Sequence, residues 1–236
     1  MTPAAHSPEA HSPEAGPATA GRLSWAAAGR LARAVAGLVV RGDIALGYAA
    51  IVLAVFAWVE ITGDSSLVAH ASTNLANLRT NPAHVLVDSA FFVSAPADLV
   101  ALPALVVVYA IAQRELGRAA TLVSIAVGHV LATLCVAMLL VTGIFHGFLD
   151  PSIATVVDVG FSYGLACVMG VLRASVPRRY RAAYVCALFA VWSWPVVLGS
   201  PMLRLTVPSF TDAGHTLALL TGLGLSTLAA SRPEER

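Results

Sequence analysis

Residues 155–172, TVVDVGFSYGLACVMGVL, decide how the chain is interpreted. This apolar segment places Ser162 between Gly160 and Gly164, with Asp158 near its beginning. Glycines remove side-chain bulk, so other groups can approach the Ser162 hydroxyl and the backbone N–H groups around it. The segment therefore predicts a membrane-embedded helix that carries an approachable serine near one rim of the bilayer.

The composition of the whole chain indicates a membrane protein. Of its 236 residues, 58% are hydrophobic and 11% are charged, whereas soluble domains carry about 25% charged residues. Several apolar runs approach the length of about 20 residues that crosses a bilayer. We therefore predict an all-α, polytopic membrane protein in contact with membrane lipids. The composition implies no nucleic acid partner and no metal or organic cofactor.

Two segments at the beginning of the chain are expected to lie outside the membrane core. Residues 1–21 are rich in Pro, Ala, Ser and Glu, which predicts a disordered tail. His6 and His11 belong to a tandem repeat in this tail and could bind a metal, although an ordinary disordered tail is the favoured interpretation. Residues 22–42 place four arginines on one helical face, which predicts a basic amphipathic helix lying on the membrane surface.

Residues 43–231 are predicted to form a six-helix membrane domain, followed by a cytoplasmic tail at 232–236. The predicted spans cover residues 44–62, 91–112, 119–142, 155–172, 182–199 and 213–230. With the N-terminus inside, 12 of the 14 basic residues, which are all arginine, lie on the cytoplasmic side, and Arg79 and Arg204 lie outside. The positive-inside rule therefore predicts that both termini are cytoplasmic. The lack of lysine is typical of a GC-rich genome, so we expect the plasma (inner) membrane of a bacterium.

Depth in the membrane predicts which group could meet Ser162. Ser162 lies four residues beyond Asp158, roughly 6 Å below the outer rim, and His215 lies three residues beyond Asp212, roughly 5 Å below it. Spans four and six run in the same direction, so the two side chains are expected at matched depth. A serine activated by a histidine base is the minimum machinery of nucleophilic acyl transfer. The alternative for His215 is a structural role, with a bond to a backbone carbonyl or to Asp212.

Glycines on spans four and six predict how these two helices pack. Span six carries Ala218 and Gly222 at a spacing of four residues, and span four offers Gly164 and Gly170. Small residues at this spacing allow two membrane helices to approach closely. We therefore expect span four to pack tightly on span six, which would bring Ser162 within reach of His215.

Other polar residues of the spans have competing interpretations. Asp98 could orient His215, or it could mark the true beginning of span two after Pro96. His129 lies near mid-membrane and is interpreted as an interhelical hydrogen bonder, with a catalytic role as the minority alternative. Glu60 is expected to reach the outer interface.

On these residues, the chain resembles the rhomboid family of intramembrane serine proteases. The shared features are a six-helix core, a long first external connection, the Gly160-Phe161-Ser162 motif in span four, and His215 followed by small residues in span six. The resemblance covers roughly residues 81–228. It implies that Ser162 is the nucleophile, that His215 is the general base, and that the Ser162 backbone N–H contributes to an oxyanion hole.

The chain also departs from the pattern of that family. The residue after the serine is Tyr163 instead of the usual glycine or alanine. The family places a His-x-x-x-Asn pair on span two, and this chain has Ala97 and Ala101 at those positions, with Asp98 beside them. The Trp-Arg pair that is common in the family's first external connection corresponds to Ala83-His84. Losing an oxyanion donor typically costs about two to three orders of magnitude in rate. Gly160, Tyr163 and Asp98 are therefore the candidate supporting residues of a site that departs from the family pattern.

Three functions are compatible with the sequence. The first is an intramembrane serine protease that cleaves transmembrane segments near the outer face through Ser162 and His215. The second is a catalytically inactive rhomboid-like protein that binds partner transmembrane helices. A small-solute transporter is less favoured, because paired half-repeats with broken helices are absent from the sequence. The oligomeric state stays open.

Overall fold

A computed structural model describes residues 28–30, 32–34, 36–38, 40–193 and 207–230, with side chains described from residue 210 to residue 227 in the last segment. The predicted tails at 1–21 and 232–236 lie outside these residues. Within the predicted surface helix at 22–42, the described residues from 28 to 40 are helical, and Arg30 and Arg33 are exposed. The described residues before Leu38 belong to a unit separate from the rest of the chain.

The remainder is built from helices, and its described part contains no strand. The α-helices are α1 (Asp43–Thr62), α2 (Ser66–Ala71), α3 (Leu75–Thr80), α4 (Pro82–Asp88), α5 (Leu102–Leu116), α6 (Arg118–Phe145), α7 (Ser162–Val171), α8 (Arg181–Trp192) and α9 (Val207–Ala230). Short 3₁₀ helices at Pro96–Ala101, Pro151–Thr155, Leu172–Ser175 and Arg178–Tyr180 join several of them.

Within the residues that the structure describes, three apolar helical segments are long enough to cross a membrane. They cover Asp43–Thr62, Pro96–Leu116 and Arg118–Phe145 and correspond to the first three predicted spans. Large apolar side chains of α6, such as Leu134 and Met138, remain exposed. Such a surface is stable in lipid and not in water, so the protein is embedded in a membrane and contacts its lipids. The all-helical prediction is confirmed, whereas the count of six spans stays a prediction.

Local sequence explains where several helices begin and end. Gly63 follows α1 in the left-handed conformation, with φ of 63°, and its N–H bonds to the Val59 carbonyl. The Asn74 side chain caps α3 by accepting the Asn77 N–H at 2.9 Å. Pro82 stands at the beginning of α4, where its missing N–H costs no hydrogen bond.

Helix α7 lies at the centre of the bundle and packs against α5, α6, α8 and α9. Its tightest contact is with α9, because a Cβ atom added to Gly222 would stand 2.0 Å from the Cys167 carbonyl oxygen. A Cβ atom on Gly170 would likewise stand 2.7 Å from the Leu219 carbonyl oxygen. The predicted close packing of span four on span six is therefore confirmed, and glycines make it possible.

The predicted fourth span differs from the observed helix at its beginning. The sequence predicts a helix from Thr155, whereas α7 begins at Ser162 and residues 156–160 are non-helical. Gly160 has φ of 140°, a conformation that other residues rarely adopt. Its N–H bonds to the Ser89 carbonyl at 2.8 Å, so this stretch pairs with the external connection instead of continuing the helix.

Candidate functional site

Ser162 is the first residue of α7 and is half-buried. Its surroundings are a small pocket lined by Thr73, His129, Asp158, Val159, Gly160, Ser162 and Tyr163. The space inside this pocket is too small for a water molecule. The pocket around the half-buried Ser162 is therefore narrow, with walls from the external connection and from α6.

His215 occupies a different environment on α9. The Tyr163 ring packs edge-on against its imidazole at a centroid distance of 5.3 Å, and the Trp192 ring lies at 4.8 Å. The Asp212 carboxylate stands 3.9 Å from Nδ1, and Nε2 is buried without a hydrogen-bond partner in the described part of the chain. Aromatic neighbours therefore hold the imidazole, and its Nε2 atom stays available.

Tyr163 stands in contact with both candidate histidines. Its ring centroid lies 6.2 Å from that of His129 and 5.3 Å from that of His215. A Cβ atom at position 214 would stand 2.3 Å from the Tyr163 hydroxyl, so Gly214 provides the room for this side chain. No hydrogen bond joins Ser162 to His215 among the described side chains. The aromatic side chain of α7 that contacts the His215 ring is therefore Tyr163.

The Tyr163 hydroxyl belongs to a buried polar network centred on Asp158. It donates to the Asp158 carboxylate at 3.1 Å, and the hydroxyls of Thr73 and Thr211 donate to the same carboxylate at 3.3 and 3.5 Å. Asp158 is 7% exposed. The network joins the external connection, the beginning of α7 and the beginning of α9 through one carboxylate.

A second serine–histidine pair was missed by the sequence argument. The Ser89 hydroxyl and His129 Nε2 are 2.9 Å apart, and both side chains are buried. Ser89 follows α4 and His129 lies on α6, so the bond joins the external connection to the membrane bundle. The available signal was a serine in the semi-apolar stretch after Pro82. This stretch is too short to span a membrane, so its sequence indicates no depth for Ser89.

The other predicted residues lie apart from this region. Asp98 is exposed, and its carboxylate accepts the N–H groups of Ser94 and Ala95 at 3.0 and 2.9 Å, which caps the turn before α5. Its bonds therefore match an aspartate that marks the beginning of span two.

Glu60 is exposed and lines a surface cavity of about 390 Å³ with Ser65. A second cavity of about 560 Å³ contains the exposed pair His84 and Asp88.

The helices and their lipid-facing surface define the class of the molecule, a helical integral membrane protein. The profile of the family described as Rhomboid-like protein matches residues 44–235. Because this match covers most of the sequence, the chain belongs to the rhomboid-like protein family, and the resemblance is confirmed. A search among curated proteins found no match, and a search among solved structures found none.

Proposed function

We propose that this chain is a rhomboid-like membrane protein that binds transmembrane segments of partner proteins without cleaving them. The position of Tyr163 carries the proposal. Its ring fills the space beside His215, and its hydroxyl is committed to Asp158 at 3.1 Å. General-base catalysis needs the nucleophile within hydrogen-bond reach of the base. Ser162 and His215 make no such bond.

The two partly exposed residues of α7 support a binding surface for a partner helix. Within α7, only Ser162 and Met169 keep partial exposure, and all the other residues are buried. Residues seven apart lie on the same helical face. The Met169 carbonyl accepts the Tyr184 hydroxyl of α8 at 2.7 Å, so this face lies beside α8. In the part of the chain that the structure describes, helix α8 packs on α7 and α9 and makes no comparable contact with α5, which supports lateral access for a partner helix.

The membrane setting of the proposal rests on the distribution of arginines. We place the protein in the plasma membrane of a bacterium with both termini in the cytoplasm, because this orientation puts 12 of 14 basic residues inside. Ser162, Gly160 and Tyr163 then lie near the outer face, and a partner helix would meet α7 there. Partners of this kind are single-span proteins with an apolar segment of about 20 residues.

Photo-crosslinking from α7 tests the binding function. A benzophenone amino acid at Met169 is expected to crosslink apolar membrane-spanning segments, which mass spectrometry of the crosslinked peptides identifies. The matched control is the same substitution at Met138, which is exposed on α6 and faces lipid under this proposal. Equal crosslinking of membrane segments from both positions would contradict a specific surface on α7.

A serine protease is the second candidate, and one specific observation favours it. His215 Nε2 is buried and unpartnered, which is the atom that a general base would use. In this case Ser162 would be the nucleophile and Gly160 would leave space for a scissile carbonyl, with the N–H groups at the beginning of α7 facing the oxyanion. The two functions differ in whether the Ser162 hydroxyl reacts with an electrophile.

A further inference from the structure

The turn between α2 and α3 is buried, although it belongs to the external connection. Ser72, Thr73 and Asn74 are 0%, 7% and 8% exposed. Turns between short helices usually lie at the surface, because their backbone groups are hydrated by water. This segment must therefore satisfy its polar groups within the protein.

The hydrogen bonds that join this segment to the bundle run to a single residue, Asp158. The Thr73 N–H donates to the Asp158 carbonyl at 2.9 Å, and the Thr73 hydroxyl donates to that carbonyl at 3.0 Å and to the carboxylate at 3.3 Å. In return, the Asp158 N–H donates to the Ser72 hydroxyl at 2.8 Å. The segment 72–74 is thus fastened to the bundle by both the backbone and the side chain of Asp158.

The Asp158 carboxylate holds this segment without a cationic partner. Its donors are the hydroxyls of Thr73, Tyr163 and Thr211, and no arginine forms an ion pair with it in the part of the chain that the structure describes. A buried carboxylate is costly unless it is fully hydrogen-bonded or paired. Hydroxyl donors are readily exchanged for water once the segment moves. No ion pair among the described residues would therefore have to be broken for the segment to move.

The segment covers the pocket of Ser162. Thr73 lines that pocket together with His129, Asp158, Ser162 and Tyr163, and the pocket leaves no room for a water molecule. We propose that Ser72–Asn74 is a removable cover over Ser162 and that Asp158 is the residue that holds it closed. This inference holds whether Ser162 contacts a bound helix or attacks a peptide bond, because both require more room beside the Ser162 hydroxyl than the pocket offers.

Thiol accessibility at position 162 tests the cover. The parent protein carries Ser162→Cys with Cys135→Ala and Cys186→Ala, and it keeps Cys167, which is buried. The measurement is the rate of modification by a water-soluble methanethiosulfonate, read by mass spectrometry. Thr73→Val keeps the shape of the threonine and removes its two hydroxyl bonds. We expect this variant to react at least about fivefold faster than the parent at position 162.

Three further variants make the result specific. Thr80→Val removes an exposed hydroxyl in the same external connection, where it bonds only within α3, and should leave the rate unchanged. Thr73→Ser retains the hydroxyl and should restore the parent rate. If Thr73→Val does not fold, Ser72→Ala removes the bond to the Asp158 N–H instead and should also accelerate the reaction.

Two results would overturn the proposal. Equal rates in the parent and in the folded Thr73→Val or Ser72→Ala variant would mean that the segment does not limit access to position 162. Simultaneous modification of Cys167 would mean that the whole bundle loosens, and that no separate cover moves. Acceleration confined to position 162 supports the cover, and it leaves the choice between binding and proteolysis to other measurements.

Discussion

The two ends of α7 are built by different means. Its C-terminal half approaches α9 so closely that Gly222 lies against the Cys167 carbonyl and Gly170 lies against the Leu219 carbonyl. Its N-terminal end is fixed by polar groups, in which Asp158 joins Thr73 to Tyr163. The contact through glycines depends on backbone shape alone, whereas the polar end depends on the direction of each side chain.

The largest expected effect lies in the glycine contact. Gly222→Ala places a methyl group 2.0 Å from the Cys167 carbonyl oxygen, so the helices must separate. We expect the free energy of unfolding to fall by about 3 kcal/mol. Gly224→Ala is the matched control on the same helix, because a Cβ atom there meets no other atom within 4 Å. Denaturant titration in detergent micelles, followed by circular dichroism, measures the difference, and equal stability of the two variants would refute the tight contact.

The next effect lies at the polar end. Asp158→Ala leaves the hydroxyls of Tyr163 and Thr211 without their acceptor, and the Thr73 hydroxyl keeps only its bond to the carbonyl of residue 158. We expect a loss of about 2 kcal/mol in the free energy of unfolding. Asp150→Ala is the control, because this exposed carboxylate bonds only to the nearby Ser152 N–H at 2.8 Å. The same titration should show a clearly smaller change for the control, and a loss as large as that of Asp158→Ala would contradict the role of the network.

Tyr163→Phe separates the ring of Tyr163 from its hydroxyl. The ring contacts with His129 and His215 remain, and the bond to Asp158 at 3.1 Å is lost. We expect destabilisation by about 1 kcal/mol. Tyr180→Phe, at a half-exposed position, should change the stability much less. A neutral effect of Tyr163→Phe would show that the hydroxyl contributes nothing to the polar end.

The smallest effect is the energetic coupling within the two serine–histidine pairs. A double-mutant cycle of Ser89→Ala and His129→Ala should give a coupling of about 1 kcal/mol, because these side chains share a hydrogen bond of 2.9 Å. The cycle of Ser162→Ala and His215→Ala should give less than about 0.5 kcal/mol, because these side chains share none. The reverse order of the two couplings would overturn the assignment of partners.

The fold was more predictable from the sequence than the site. Hydrophobic length predicts the membrane helices, and glycines four residues apart predict the approach of α7 to α9. Both signals act through the backbone, so they do not depend on which way a side chain points. The later beginning of α7 was not predicted, because pairing between the Gly160 N–H and the Ser89 carbonyl is a long-range contact.

The site could not be predicted from depth alone. Counting residues gives the height of Ser162 and His215 along their helices, but it gives no direction around the helix axis. Ser162 and Tyr163 lie at nearly the same height, and their side chains point about 100° apart. That rotation decides which of them meets His215, and the ring contact at 5.3 Å belongs to Tyr163. The bond between Ser89 and His129 was not predicted for a related reason, because the end of the external connection enters the bundle more deeply than its composition indicates.

Labelling with a fluorophosphonate probe tests the separation of Ser162 from His215 most directly. The full chain is purified in detergent, and the inaccessibility of Cys167 to a thiol reagent shows that the bundle is folded. The account predicts no labelling at Ser162 above the level of a Ser162→Ala variant. The contrary result is labelling that is lost in both Ser162→Ala and His215→Ala and retained in the control Ser66→Ala on α2. Such labelling would contradict a function without cleavage and would establish the serine protease.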